Sequence, residues 1–250
     1  MRRSYLYCVY LVSLSYLALL GQIYAADSHF KGESLFASAK YDKDDLCAVT
    51  ITPPNIPRRD SEAWQFISQE ADLALRGGTS HFQGDVQLIL PYHIIDAQHG
   101  QITRDDNRQV HEVSLDKDIA WQHRSWRLFT DTLQYFPQKS RIEASKASFM
   151  LFPGWGIYPW GWADAVVSDS PYTLTMHNTR VTTCMPENMV WSIGGRTIDW
   201  DESSKRLLIQ DSSLYWYNTK LFGLGTVSFV DGEQTSGWLM PKVRYFSGDG

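Results

Sequence analysis

The sequence predicts an all-β fold, in the form of a sandwich, a roll or a barrel. From Trp64 onward, apolar and polar residues alternate in short runs, which is the period-two pattern of half-buried strands. These runs recur roughly every ten residues, with turn-forming residues between them. No stretch after residue 76 has the spacing of an amphipathic helix.

Two segments that precede these strands are predicted to lie outside the β domain. Residues 1–25 combine Arg2 and Arg3 with a short apolar run and small residues that end at Ala25, as in a secretory signal peptide. This run is too short and too often interrupted for a membrane-spanning helix, which needs about 20 apolar residues. Residues 26–62 are polar and then proline-rich, which predicts a flexible arm that carries Cys47.

The β domain begins with a segment that fits a strand better than a helix, residues 64–75. The run HFQGDVQLIL follows at residues 81–90 and predicts a strand with Phe82, Val86 and Leu88 on one face and Gln87 on the other. Strand patterns then recur to the end of the predicted domain. They centre on residues 113–115, 119–123, 126–128, 142–144 and 172–176, and the polar run DKD at residues 116–118 separates the first two.

One stretch, FPGWGIYPWGW at residues 152–162, combines residues that prevent regular structure with aromatic residues that require burial. Two interpretations remain open. The stretch can pack over an open end of the β roll, or it can touch a membrane, because tryptophan and tyrosine suit membrane interfaces.

Charge and motifs argue against several classes of function. Without residues 1–25 the net charge changes from −5 to −7, because both arginines of that segment are lost, and an acidic chain is a poor partner for nucleic acid. The seven histidines lack the close spacing of zinc ligands. No G-x-S-x-G motif is present, and carboxylate pairs such as Asp105–Asp106 lie in polar turns. The sequence therefore predicts no enzyme, no cofactor and no metal site.

The C-terminal third resembles a known family. Its motifs are a cysteine–proline turn at Cys184 and Pro186, the pair Trp191–Ser192, and the run Ser236–Leu239 followed by Pro241. Together with FQGDVQL and IIDAQHGQI upstream, they resemble the family of the lipopolysaccharide (LPS) assembly protein LptD, also called OstA or organic solvent tolerance protein. The resemblance covers about residues 70–245, and residues 96–98 depart from the family pattern.

The resemblance implies an elongated OstA-type β-jellyroll over residues 63–235, a V-shaped stack of strands with an apolar interior. Residues 236–250 would be a linker and the stub of a first barrel strand. The implied function is LPS transport and assembly. The jellyroll would receive LPS acyl chains from an LptA-like periplasmic bridge, joined by edge-strand addition, and pass them to the outer-membrane translocon. The implied location is the periplasmic face of the outer membrane, or the periplasm if the chain ends at Gly250.

The resemblance and the alternation together indicate candidate residues. An LptE-like lipoprotein is an implied partner only where a barrel is present. Cys47 and Cys184 match disulfide-forming cysteines of the family, whose partners lie in the barrel, and in this chain the two can pair with each other.

The choice of inner-face residues depends on the register of each strand, because a one-residue register error would exchange its two faces. The candidate acyl-chain contacts are Val86, Leu88, Leu115, Trp121, Leu128, Phe149, Leu174 and Met176.

Two other functions remain open. One is a stand-alone periplasmic lipid-binding or LPS-binding bridge module without any barrel. The other is a carbohydrate-binding β-sandwich that uses Trp155, Trp160 and Trp162 as a platform for sugars. Binding to LPS or to plain polysaccharide would separate the lipid-binding functions from the carbohydrate-binding one.

Overall fold

The computed structural model describes residues 40–42, 45–50, 52–56, 64–74, 78–105, 107–154 and 158–230. Within these ranges the chain forms strands and two short 3-10 turns, at Pro137–Lys139 and Pro186–Asn188. The shorter strands are β1 (Lys40–Asp42), β2 (Asp45–Thr50), β3 (Gln65–Ile67) and β4 (Glu70–Asp72). The longer strands are β5 (Gly78–Ile89), β6 (Ile94–Arg104), β7 (Val110–His123), β8 (Trp126–Phe136), β9 (Arg141–Leu151), β10 (Trp160–Ser170), β11 (Thr173–Thr182), β12 (Trp191–Asp201), β13 (Arg206–Trp216) and β14 (Thr219–Val230).

The strands from β3 to β14 form one antiparallel sheet. Each strand from β5 to β14 pairs with the next along the chain, and the short strands β3 and β4 pair with β5. This arrangement confirms the predicted all-β fold and the preference for a strand in residues 64–75. The predicted signal peptide and the linker at residues 236–250 lie outside the described residues.

Strands β1 and β2 form a separate hairpin. The sequence predicts a flexible arm over residues 26–62, and within it the structure describes strands at residues 40–42 and 45–50. The hairpin is anchored because Cys47 is buried and disulfide-bonded to Cys184. The composition of the arm does not reveal this anchor, which depends on a residue far along the chain.

Most long strands bend near their middle. An extra residue in one strand of an antiparallel pair produces a bulge that bends the strand, and the pairing register shifts between Gln83 and Val86 of β5 and between Asp116 and Ile119 of β7. Residues with positive φ lie at the bends of β5, β7, β9, β11, β13 and β14, namely Gly84, Asp85, Lys117, Asp118, Lys146, Asn178, Asp211 and Gly225. The run DKD, predicted as a break between two strands, is therefore a bend within β7.

These bends divide the sheet into two parts, which we call leaf 1 and leaf 2. Leaf 1 starts with residues 78–83 of β5, paired with residues 99–104 of β6, and continues to residues 227–230 of β14. Leaf 2 starts with residues 86–89 of β5 and continues to residues 219–223 of β14. Buried residues of both leaves belong to one hydrophobic cluster, so the core lies between the inner faces of a folded sheet. Among the described residues, no helix is long and apolar enough to cross a membrane.

Candidate functional site

The inner face of leaf 1 carries a continuous row of mostly apolar residues that runs across the strands. Each member pairs directly with the next on the adjacent strand. Direct cross-strand neighbours contact each other on one face of a sheet, so the row forms an unbroken surface perpendicular to the strands. Its members are Phe82, Gly100, Leu115, Leu133, Ala144, Val166, Met176, Ile198, Ile209 and Val227.

The inner face of leaf 2 carries a second such row, and its burial decreases along the sheet. Leu88, near its start, is fully buried, Leu214 is half-buried, and Phe222 on β14 is 47% exposed. The interior is therefore closed over the first strands and open to solvent at the β14 end. The members are Leu88, Ile95, Trp121, Leu128, Phe149, Gly161, Val181, Ile193, Leu214 and Phe222.

The structure places all eight predicted acyl-chain contacts in this interior. Seven have no measurable exposure and Leu115 is 2% exposed. All eight belong to the single hydrophobic cluster between the leaves. Their contact with a lipid stays a prediction, because the cluster is filled by side chains of the protein itself.

The outer faces of the leaves are mainly polar. Gln87 of β5, directly after Val86 in the chain, donates a hydrogen bond to Asp96 across the strand pair (2.7 Å). His99 and Asp116 pair on the outer face of leaf 1, with 2.9 Å between Nδ1 and Oδ1. The sheet is therefore amphipathic over much of its length, with an apolar inner face and hydrogen-bonded side chains outside.

The two leaves meet at their tips, in a set of contacts that we call the clasp. Glu202, in the turn after β12 of leaf 1, accepts a hydrogen bond from Arg124 Nε in the β7–β8 turn of leaf 2 (2.5 Å). Tyr172 of leaf 1 and Tyr92 of leaf 2 pack with ring centroids 5.4 Å apart. The clasp joins turns that are far apart in the sequence, and no local pattern predicts it.

A buried aromatic cluster lies beneath the clasp. His123 stacks on Trp126 with ring centroids 3.8 Å apart, and the Nε1 atom of Trp121 donates a hydrogen bond to Nδ1 of His93 (3.1 Å). Burial lowers the pKa of His93 to about 3. Burial, with smaller contributions from the neighbouring His93 and from the charge of Arg124, lowers the pKa of His123 to about 2. Both imidazoles are therefore neutral at physiological pH.

The disulfide ties the hairpin β1–β2 to the end of β11. Cys47 and Cys184 are bonded across a sequence separation of 137 residues, as the sequence analysis proposed for this chain. Around the bond, the Nε1 atom of Trp160 donates a hydrogen bond to the carbonyl oxygen of Cys184 (2.6 Å). The amide of Cys184 donates to the hydroxyl of Thr182 (3.1 Å). The cysteine turn is thus fixed by side chains on two neighbouring strands.

The aromatic stretch at residues 152–162 packs into the fold where it is described. Phe152 is buried, Trp160 is buried as the first residue of β10, and Trp162 is half-buried. These positions favour the packing interpretation for the described residues, while Trp155 lies outside them. Burial of Trp160 contradicts the predicted sugar platform at that position, because a ring that stacks on a sugar must be accessible.

Within the described ranges, no group of three His, Cys, Asp or Glu side chains could hold a metal ion. His93 and His123 are buried in the aromatic cluster, whereas His81, His99, His111 and His177 are exposed or partly exposed on outer faces. A depression of about 450 Å³ lies on the outer face of leaf 1 and is lined in part by Ser114, Thr132 and Gln134. These side chains offer hydrogen-bonding groups, whereas an acyl chain needs an apolar surface. The candidate functional site is therefore the apolar interior.

Comparison with known proteins gives sequence relatives over most of the chain. The chain is 24% identical over 199 residues to the LPS-assembly protein LptD of Aeromonas hydrophila, and equally to that of Aeromonas salmonicida. The match covers 78% of this chain and 24% of each relative, so the chain spans about a quarter of their length. No protein-family model matches.

Among solved structures, LptH of Pseudomonas aeruginosa, described as the LptA homologous periplasmic component of the LPS transport device, aligns with a TM-score of 0.37 and 16% identity. The alignment covers 45% of this chain and 80% of LptH. The sequence matches confirm the resemblance predicted from the motifs: over most of its length, this chain is similar to the LPS-assembly protein LptD.

Proposed function

We propose that this chain takes part in LPS transport and assembly by holding LPS acyl chains between its two leaves. The observation that carries the proposal is the pair of interior rows, which extend without interruption from β5 to β14. An acyl chain laid along such rows would lose contact with water, at a gain of about 0.8 kcal/mol for each buried methylene. The sugars of the same molecule would stay in water beside the polar outer faces.

Acyl chains can reach the fully buried part of this interior only when the leaves separate. The side chains between the leaves are packed and largely inaccessible, and a well-packed core has no room for an additional chain. The clasp joins the leaf tips, and its ion pair connects Arg124, which is 56% exposed, with Glu202, which is 12% exposed. Separation of the leaves would break this pair and return the Glu202 carboxylate to water.

The direction of transport follows from the exposure of the interior. Leaf 2 is closed at Leu88 and open at Phe222, and the half-buried Phe229 lies at the β14 end of leaf 1. We therefore place the exit for acyl chains at the β14 end. An LPS-loaded chain would deliver its cargo from this end toward the outer membrane, with the roll on the periplasmic side.

The opposite edge of the sheet suits the docking of an LptA-like bridge. There, β5 is covered by β3 and β4, which have three residues each. Strands β3 and β4 form the edge of the sheet, and an edge strand can accept a further strand through its backbone. Strand addition at this edge would place the bridge at the closed end of the interior, opposite the exit.

Titration with lipid A and with the deacylated LPS saccharide tests the proposal. We expect the chain to bind lipid A and to bind the saccharide at least ten-fold more weakly. Phe222→Ser, on the inner face, should weaken lipid A binding several-fold. Leu221→Ser is the matched control, because Leu221 is similarly exposed on the same strand but has no place in the inner row. Equal binding of lipid A and saccharide would favour the carbohydrate-binding alternative and reject an acyl-chain site.

A further inference from the structure

The hairpin between β13 and β14 carries an unusual concentration of exposed apolar side chains. Among the described residues, seven large apolar side chains are exposed, and four of them lie within residues 216–222. We call these four side chains the hairpin tip: Trp216 (44% exposed), Tyr217 (58%), Leu221 (51%) and Phe222 (47%). Soluble proteins rarely expose such a cluster unless it contacts a partner or a membrane.

The apolar side chains of the hairpin tip come from both strands and from the turn between them. Phe222 pairs with Leu214 and belongs to the inner row, Trp216 is the last residue of β13, and Tyr217 lies in the turn. Leu221 is the extra residue of a bulge, because Leu214 pairs with Phe222 whereas Tyr215 pairs with Lys220. A projecting turn that carries apolar side chains on both of its strands fits a medium that surrounds it, such as the acyl region of a bilayer.

The hairpin tip is held in place by its neighbours. The guanidinium of Arg180 lies 3.8 Å from the ring centroid of Tyr215, a cation–π distance, and it donates a hydrogen bond to the Asn218 side chain (3.1 Å). The amide of Tyr217 donates to the carbonyl oxygen of Val190 (2.7 Å). The apolar side chains are thus presented by a braced turn, which lowers the entropy lost on binding.

Charge at the hairpin tip complements an anionic surface. Arg180 and Lys220 lie on the strands that form this end, and Glu187 lies in the adjoining 3-10 turn. The local balance is therefore positive although the whole chain carries a net charge of −5. Tryptophan and tyrosine concentrate at the headgroup level of membranes, and basic residues beside them attract anionic phospholipids.

We propose that the hairpin tip docks on the surface of a phospholipid bilayer that contains anionic lipids. Trp216 and Tyr217 lie at the level of the headgroups, and Leu221 and Phe222 enter the acyl region. This activity goes beyond LPS binding, because it requires no LPS and uses side chains of the turn as well as Phe222 of the inner row. It also places the open end of the interior against the membrane, so that an acyl chain could pass from protein to lipid without crossing water.

Flotation with vesicles tests the proposal. The purified chain is mixed with vesicles of phosphatidylethanolamine and phosphatidylglycerol, and with vesicles of phosphatidylcholine alone. We expect the chain to float with the first and to bind the second several-fold more weakly. Leu221→Ser and Phe222→Ser should each lower binding roughly ten-fold, because each removes one large apolar side chain from the acyl region. Lys220→Glu should lower binding only to the anionic vesicles.

Ile67→Ser is the matched control, because Ile67 is as exposed as Leu221 but lies at the opposite edge of the sheet. It should float like the parent chain. No flotation, or equal losses for Ile67→Ser and Leu221→Ser, would overturn the proposal. A change from dimer to monomer in Leu221→Ser without loss of flotation would instead assign the hairpin tip to an interface between copies. Thermal unfolding of each variant separates lost binding from lost folding.

A dye attached at Leu221→Cys in a Cys8→Ser background supplies a second measurement. We expect its emission to shift to the blue when anionic vesicles are added, because the dye enters an apolar medium. A blue-shifted emission before vesicles are added would show that another part of the chain covers the hairpin tip, and this result would also overturn the proposal. Loss of lipid A binding in Phe222→Ser but not in Leu221→Ser tests LPS binding separately.

Discussion

Acidification is expected to weaken the core beneath the clasp, because two histidines are buried there in the neutral form. His93 is 4% exposed and His123 is fully buried. Their pKa values are lowered to about 3 and about 2, and burial is the main cause. In the unfolded chain a histidine has a pKa of about 6.5. Below that pH the two histidines take up protons in the unfolded chain but stay neutral in the folded chain. The free energy of unfolding is therefore unaffected by these histidines above about pH 6.5 and decreases as the pH falls below it.

The loss of stability at a given pH depends on how far that pH lies below the histidine pKa of the unfolded chain. Each pH unit below about 6.5 costs about 1.4 kcal/mol for each histidine. At pH 5 both histidines are still neutral in the folded state, so each one costs about 2 kcal/mol and the pair about 4 kcal/mol. Glu202 lies 3.7 Å from Nε2 of His123, and a nearby carboxylate would raise the histidine pKa. Because Glu202 already pairs with Arg124, burial dominates and the pKa of His123 is lowered.

Urea unfolding at pH 7.5 and at pH 5 measures this difference. The free energy of unfolding of the parent chain should fall by several kcal/mol between the two. His123→Phe keeps an aromatic ring beside Trp126 and should remove about half of the pH dependence, whatever its stability at pH 7.5. A parent chain that is equally stable at both pH values would refute the reasoning. So would a variant with the full pH dependence, because another group would then be responsible.

Three further changes test the packing. Cys184→Ser opens the 137-residue link to Cys47 and should lower the free energy of unfolding by roughly 4–5 kcal/mol in the chain-entropy model, whereas a reductant should then have no further effect on unfolding. Gly161→Ala places a Cβ 1.8 Å from the carbonyl oxygen of Arg180 and should cost about 1–3 kcal/mol or more, whereas Gly223→Ala has space and should change the melting temperature little. Phe149→Ala should cost about 3–5 kcal/mol and Phe129→Ala clearly less, as denaturant unfolding would show; equal costs would contradict the assignment of inner and outer faces.

Alternation in the sequence predicts the inner face well because burial acts on each strand separately. Val86 lies between Asp85 and Gln87, and Leu88 and Phe149 each follow a polar residue; the structure buries all three apolar side chains. The bends were harder to predict. Residues 116–118 have the composition of a turn, and the chain continues through them as one strand because β6 and β8 pair on both sides of the bend.

Contacts that depend on how the leaves close left no pattern in the sequence. Arg124 and Glu202 are 78 residues apart, and each lies in a polar turn that suggests only exposure to solvent. The family resemblance implies partners in a barrel for Cys47 and Cys184, and their pairing with each other was proposed because this chain has no other cysteine after residue 25. The burial of Trp160 agrees with one of the two interpretations of residues 152–162, and the composition of the stretch did not decide between them. Tertiary contacts decide such positions, and a local pattern carries no information about which distant turn will meet another.

If LPS acyl chains lie against the inner face of the leaves, a photo-crosslinker on that face should capture LPS, and two phenylalanines allow this comparison. Phe149 of β9 is fully buried on the inner face of leaf 2, whereas Phe129 of β8 is half-buried on its outer face. Both can be replaced by benzoylphenylalanine, so the two probes differ in their face and not in their chemistry. With LPS present, we expect capture of LPS at position 149 and little at position 129. Equal capture at both positions, or capture at position 129 alone, would contradict the account.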